Sequence, residues 1–240
     1  MTTLVTFNPR PAIDIVTCDD GSICVVVDDA LIEPERLVAF AIEQRDAFHT
    51  VDFNAYPGIL LPSPARISAA LDDFFALHLR RFFDARRVVR MHSRLALVTL
   101  PPAALQPRQW ICHRDSVGID PRQSLQASVL YLFRDTTLGG TSFYASNLAP
   151  AETARLFHDA GTLGGDEFSA RYGLHAGYLC DSNRYFTRVG GVAAKWNRLI
   201  FYDGAQLHSG DIIAPDRLST DPAIGRLSLN GFFTSRRRAG

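Results

Sequence analysis

Three side chains, far apart in number, have the chemistry to share one metal ion. His113 and Asp115 stand two residues apart in Trp110-Ile111-Cys112-His113-Arg114-Asp115-Ser116. On a β-strand, side chains two apart project from one face, so a strand here presents an imidazole nitrogen beside a carboxylate oxygen. The third is His208, in Tyr202-Asp203-Gly204-Ala205-Gln206-Leu207-His208-Ser209-Gly210, after an apolar run and between two glycines that free the backbone to aim it. Two imidazoles and one carboxylate form the facial set that holds non-haem Fe(II) and leaves positions open for oxygen and substrate. With zinc or manganese the same trio serves a cupin-like metal-dependent hydrolase or isomerase. Of the seven histidines, His49, His78, His92, His158 and His175 have no such context and read as structural or surface residues.

The elements that must position these groups fall into two textures. Ile23 to Val27 is a β-branched run bounded by Gly21 and Asp28-Asp29, and reads as a strand. Pro34 suits a first helical turn, and Leu37, Val38, Ala41 and Ile42 follow at helical spacing, so residues 34–48 read as a helix. Residues 53–64, rich in proline, read as a loop. A second helix spans about 65–83, with Ile67, Leu71, Phe74, Phe75 and Phe82 as its apolar stripe. From Ser93 onward short strands dominate: residues 95–100, the His113 segment, 126–133, 141–144, 198–202 and 226–233. Gly and Pro between them point to a sandwich or barrel with a helical layer on one face. Residues 145–197 form a long insertion, helical at 150–160 and 166–172 and irregular at 181–194. Such an excursion is a lid or binding element, or else a packing or homodimer appendage.

Bulk properties exclude several classes. Lys plus Arg and Asp plus Glu are 25 each, so no net field draws a nucleic acid or an anionic membrane. The apolar share, 47%, is that of an ordinary globular protein, and 240 residues suffice for one sizeable domain. Cys18, Cys24, Cys112 and Cys180 make no C-x-x-C pair, which fits a reduced, cytoplasmic protein. No signal peptide or membrane-length apolar run is visible. The closing Arg236-Arg237-Arg238 reads as a solvated tail.

Taken in order, His113-Arg114-Asp115, Leu130-Tyr131-Leu132, Gly139-Gly140-Thr141, residues 198–202, His208 and Gly225-Arg226-Leu227-Ser228-Leu229 resemble the 2-oxoglutarate/Fe(II)-dependent dioxygenases. The likeness is to their prolyl-4-hydroxylase-like branch and covers about residues 93–234. It implies a mainly β fold with flanking helices: a double-stranded β-helix of jelly-roll or cupin type, behind an N-terminal layer at 1–92. It implies His113, Asp115 and His208 as iron ligands. It implies Arg226 on the distal carboxylate of 2-oxoglutarate, helped by the hydroxyl of Tyr131. Charge counting agrees: Fe(II), one carboxylate and a 2-oxoglutarate dianion leave one negative charge in a poorly hydrated pocket, which one arginine cancels. Ser228, two residues on, shares the face of Arg226.

The separation from His208 to Arg226 is longer than that branch shows, and residues 212–224 read as an enlarged loop. Histone-demethylase-like relatives use lysine where Arg226 stands. The intact Asp115 argues against a halogenase. The implied reaction couples O2 and decarboxylation of 2-oxoglutarate, giving succinate and carbon dioxide, to hydroxylation of a C–H bond. The alternatives to an oxygenase are the hydrolase or isomerase above and a non-catalytic small-molecule-binding module. For substrate contacts the candidates are Tyr56, Arg94, Arg114, Tyr144 and Trp196. Arg94 faces either inward, to an anionic substrate, or solvent. The expected substrate is a small molecule, amino acid or peptide.

Overall fold

A computed structural model describes residues 4–51, 56–116 and 118–238. In chain order its elements are β1 (Ile13–Thr17), β2 (Ile23–Val27), α1 (Pro34–Glu43), β3 (His49–Thr50), β4 (Gly58–Pro62), α2 (Ala65–Phe74), β5 (Arg87–Val98), β6 (Gln123–Tyr131), β7 (Thr141–Ser146), α3 (Pro150–Thr162), α4 (Gly165–Tyr172), β8 (Phe186–Val192), β9 (Leu199–Asp203), β10 (Leu207–Gly210) and β11 (Arg226–Arg236). They build two antiparallel sheets. The larger has eight strands in the order β1-β2-β9-β6-β11-β5-β4-β3, and the smaller has three, β10-β7-β8. This is the jelly-roll-like pair of sheets that the sequence implies, with helices on one face.

The period-2 pattern of β11 decides which face does what. Leu227, Leu229 and Phe233 are fully buried and point to the helical layer, where they meet Leu37 and Ala41 of α1 and Ile67, Leu71 and Phe74 of α2. Arg226, Ser228, Asn230 and Phe232 alternate with them and line a cavity on the opposite face. Between the sheets lies a second core that includes Phe133, Phe143, Val192 and Ile200. A third lies under the insertion, where Trp110 meets Phe168 of α4 edge-on at 5.8 Å.

Several boundaries differ from expectation. The expected loop at 53–64 holds β4, which pairs with β5 from Gly58↔Val98 to Pro62↔Arg94; residues 52–55 lie outside the described residues. As a strand outside the central four, β4 tolerates Pro62 at its end, where the missing N–H is not needed. The expected irregular stretch at 181–194 holds β8, whose Gly190 and Gly191 sit against Phe143 and Ser142 of β7; glycines weaken the strand signal without preventing pairing. The first helix stops at Glu43 and continues only as a 3-10 turn at Arg45–Ala47. The second continues past Phe74 as a π turn, Phe75–Leu79, and a 3-10 turn, Arg80–Phe82. Arg236 to Arg238 are no free tail. Arg236 pairs with both Arg87 and Gln123, and Arg237 and Arg238 both bind the carboxylate of Asp84. Among the described residues no helix is long and apolar enough to cross a membrane.

Phe75 locks the helical layer to the sheet. It is fully buried and lies 4.5 Å from Phe233 and 5.6 Å from Phe201, ring centroid to centroid. Phe75→Ala should destabilise the fold by about 3–5 kcal/mol, seen as a lower urea midpoint at unchanged slope.

A charged tie joins β2 to β9. Arg198 donates from Nε to Asp28 Oδ1 at 2.6 Å and from Nη2 to Oδ2 at 3.0 Å, and Lys195 Nζ donates to Oδ2 at 2.8 Å. The bond from Arg198 is the main reason that the Asp28 carboxyl falls from 3.8 to about 2. A carboxyl with a folded pKa below its unfolded one adds stability that is complete above the unfolded value and lost as pH falls through the folded one. Asp28→Asn should therefore flatten the acid limb of a stability–pH curve between about pH 4 and pH 2, and change its slope little above that window.

Candidate metal centre and its cavity

His113 and His208 meet through the backbone. Each amide donates to the other's carbonyl at 2.9 Å, a single antiparallel bridge outside any strand ladder for His113. Residues facing each other in such a hydrogen-bonded pair have side chains on one face, and the two rings lie 4.3 Å apart. The strand expected through residues 110–116 is not formed. A 3-10 turn at Pro107–Gln109 leads into Trp110, Ile111 and Cys112, three consecutive buried residues that an alternating strand with one wet face does not give. Trp110 is held by its indole N–H, which donates to the Leu105 carbonyl at 2.9 Å.

Asp115 is brought in by a clamp rather than by strand period. The amides of Asp115 and Ser116 both donate to the Gly204 carbonyl, at 2.9 and 3.0 Å, and the Gly204 amide donates to the Leu125 carbonyl at 2.8 Å. Glycine at 204 gives this contact its room: a Cβ there would sit 2.4 Å from Leu125 Cδ2, 3.1 Å from the Leu125 carbonyl oxygen and 3.3 Å from Asp115 Cβ.

The three side chains converge. Their ligand atoms all lie within 4.8 Å of one another. Asp115 Oδ2 is 3.4 Å from His208 Nε2, and Oδ1 is 3.7 Å from His113 Nε2. His208 Nδ1 is 3.0 Å from the Gln206 carbonyl. A carbonyl only accepts, so Nδ1 carries the proton and Nε2 turns a lone pair toward Asp115, the arrangement found for metal-bound histidines. Asp115 Oδ2 is buried with no hydrogen-bond partner among the described residues. Lone pairs facing each other in a buried setting are unfavourable until a positive charge lies between them. The residues present therefore fit a divalent cation. His113 shows 42% of its side chain to the cavity. Its place in the cavity wall, and then the neighbouring His208, lower its pKa, which favours the neutral, ligating form of the ring.

These groups open on a cavity of about 470 Å³. At its wall Arg226, 5% exposed, donates from Nε to the carbonyls of Leu138 and Gly139 at 2.9 and 3.2 Å, and from Nη2 to that of Gly140 at 2.7 Å. Gly139 has φ +78°, and a Cβ there would fall 1.5 Å from the Asp211 carbonyl oxygen, so only glycine brings these carbonyls to the guanidinium. Ser228 Oγ donates to Asn230 Oδ1 at 3.0 Å on the same wall. Tyr56 is one of the phenols at this wall: it lies beside Ser228 and near both Arg226 and Arg94, and burial pushes it up to about 12. Tyr131 stands one layer behind, its hydroxyl 2.8 Å from Thr141 Oγ1, and only Thr141 reaches the cavity.

Of the residues named for substrate contact, Tyr56, Arg94 and Arg114 line the cavity, and Tyr144 and Trp196 do not. Tyr144 is buried under the insertion with its hydroxyl on the Leu179 carbonyl at 3.0 Å. Trp196 packs against the helical-side core, with Arg134 4.0 Å above its ring. The sequence reading missed Tyr178, Thr141, Asn230 and Phe232, which also line the cavity. Stepping by two from Arg226 finds the last two. Nothing in the sequence marks Tyr178, which comes from the insertion and donates to the Leu100 carbonyl at 2.6 Å.

A search of curated proteins finds no match to this chain. Among solved structures it is similar to the non-heme alpha ketoglutarate dependent carbocyclase SnoK from nogalamycin biosynthesis, at 13% identity and a TM-score of 0.51 over 88% of this chain and 79% of that one. It is also similar to the alpha ketoglutarate dependent epimerase SnoN of the same biosynthesis (15% identity, TM-score 0.49, 90% of this chain and 82% of that one). A prolyl-4-hydroxylase of Pseudomonas putida also matches (16% identity, TM-score 0.42, 90% and 88%). At these identities the likeness speaks for the fold alone, and the match to SnoK carries it: two facing antiparallel sheets. A sequence-family model, described as a family of unknown function (DUF6445), matches residues 9–233, and the chain belongs to that family.

Proposed function

We propose that this protein is a 2-oxoglutarate- and Fe(II)-dependent dioxygenase that hydroxylates a small molecule, with residues 1–240 acting as one unit. The observation that carries the reading is the buried Asp115 oxygen without a donor, facing the lone pair of His208 beside His113. His113, Asp115 and His208 would hold the iron. When bound, iron and co-substrate supply the oxidation of a C–H bond by O2, with release of succinate and carbon dioxide.

The chain's own residues would do the rest. Arg226 spends Nε and one Nη2 proton on backbone carbonyls, which fixes the plane of the guanidinium. Its Nη1 has no such bond among the described residues and is a donor for the distal carboxylate of 2-oxoglutarate. Ser228, and Tyr56 in the place expected for Tyr131, would complete that contact. A cavity of about 470 Å³ suits a co-substrate and a small organic substrate together. Tyr178 ties the insertion over the cavity and helps exclude water.

The test is an anaerobic titration with Fe(II) and then 2-oxoglutarate, followed by the visible metal-to-ligand charge-transfer band of a chelated 2-oxo acid. The parent protein should show the band. His208→Ala and Asp115→Ala should lose metal affinity by more than the roughly 10–100-fold typical of changes one layer further out. Arg226→Gln should keep the metal and weaken 2-oxoglutarate by about 30-fold or more. Iron bound without a band would overturn the reading. Substrate turnover that needs metal but releases no succinate would favour the hydrolase or isomerase instead.

A further inference from the structure

The cavity holds more cationic side chains than iron and 2-oxoglutarate require. Its lining has four arginines, Arg94, Arg108, Arg114 and Arg226, and one carboxylate, Asp115. Iron, Asp115, the 2-oxoglutarate dianion and Arg226 together sum to zero charge. Arg94 is then left over inside the wall. It lies on β5 directly across from Asn230 of β11, on the cavity face of the sheet. Its guanidinium carbon sits 4.8 Å from the Phe232 ring centroid and 5.9 Å from that of Tyr56, so two aromatic rings hold it in place. Nε is buried without a hydrogen-bond partner, and no carboxylate pairs with the side chain among the described residues. Burial accordingly lowers its pKa, against the pull of Tyr56 and Asp115. Asn230, whose Oδ1 is taken by Ser228, has its amide NH2 as a further donor at the same place. A half-buried guanidinium whose Nε lacks a partner is costly to desolvate, and an oxyanion bound in the cavity would complete it. Arg114, exposed at the cavity edge, adds charge of the same sign to attract that ligand.

We propose that Arg94, with Asn230 beside it, is the binding site for an oxyanion group on the primary substrate, so that the substrate is an organic acid anion carrying a carboxylate or phosphate. This rests on the oxygenase reading for its account of the other charges. The planar guanidinium can donate to two oxygens of either group. The rings of Tyr56 and Phe232 and the side chains of Ile111 and Val98 leave an apolar wall for the substrate's carbon skeleton.

The test uses the full chain loaded with Ni(II), a redox-inert substitute for iron, and 2-oxoglutarate. Phenylacetate, phenyl phosphate and the neutral phenylacetamide are titrated calorimetrically and by melting temperature. At least one acid should bind ten-fold or more tightly than the amide, and which acid does so separates a carboxylate site from a phosphate site. Arg94→Met, which keeps an apolar stem of similar length, should abolish that preference and Arg94→Lys should restore part of it. Both should leave the affinities for Ni(II) and 2-oxoglutarate within two-fold. The melting temperature of ligand-free Arg94→Met should equal or exceed that of the parent, which a purely structural arginine would not allow. Equal binding of acid and amide, no binding of either acid at 10 mM (roughly a 3 kcal/mol interaction), or a preference that survives in Arg94→Met overturns the proposal. So does loss of 2-oxoglutarate in Arg94→Met, which would assign Arg94 to the co-substrate. If the parent takes up neither Ni(II) nor 2-oxoglutarate, the oxygenase reading fails by itself. The acid–amide comparison on metal-free protein then still decides whether Arg94 prefers an acid.

Discussion

Two reciprocal backbone hydrogen bonds between His113 and His208 hold the candidate centre together. They join a segment with no strand of its own to β10 of the smaller sheet. Everything chemical follows from that join. It sets the two rings side by side, and it leaves Asp115 within reach of the Gly204 carbonyl, which takes two amides at once. Leu125 closes behind Gly204. The Asp115 main chain is thus placed by these bonds, and its buried Oδ2 is left without a donor among the described residues.

The second organising element is β11. One face is aliphatic and aromatic and seals the helical layer; the other carries Arg226, Ser228, Asn230 and Phe232. Stability and chemistry are therefore built on the same eleven residues, separated only by the alternation of the pleat. A one-residue slip in register would exchange the two faces entirely. Pairing on both sides, with β5 and β6, makes that slip improbable energetically, because it would break two ladders together. The Gly139–Gly140 turn adds a third constraint by fixing the plane of Arg226 with carbonyls.

Much of this was legible in the residues. The strands at 23–27, 141–144, 198–202 and 226–233, the helical pieces of the insertion and the enlarged loop before Arg226 follow from period, β-branching and glycine or proline breaks. The meeting of residues 113, 115 and 208 was legible as chemistry but for a partly wrong reason. His-x-Asp suggested a strand, and the segment is irregular, because three consecutive apolar residues, Trp110 to Cys112, are buried in two directions at once. The strand at 58–62 was hidden by its prolines, which are harmless where no partner needs their N–H. The strand at 186–192 was hidden by Gly190 and Gly191. The bond between the C-terminal arginines and Asp84 is a contact across more than a hundred residues, and no local pattern encodes it. The same limit applies to Tyr56 and Tyr131. Both are tyrosines next to apolar residues; only the packing of Thr141 in front of one decides which of them meets the cavity.

The irregular segment that ends in Asp115 touches the sheets through few main-chain bonds, at residue 113 and at residues 115 and 116. An ion bound by side chains from both partners would act as a cross-link between stretches nearly a hundred positions apart. Part of its affinity would be spent on damping local opening of that segment, and the same amount would reappear as added resistance to unfolding. Loading and folding would then be linked quantities, with the ion serving as a fastener for the molecule as well as a reagent.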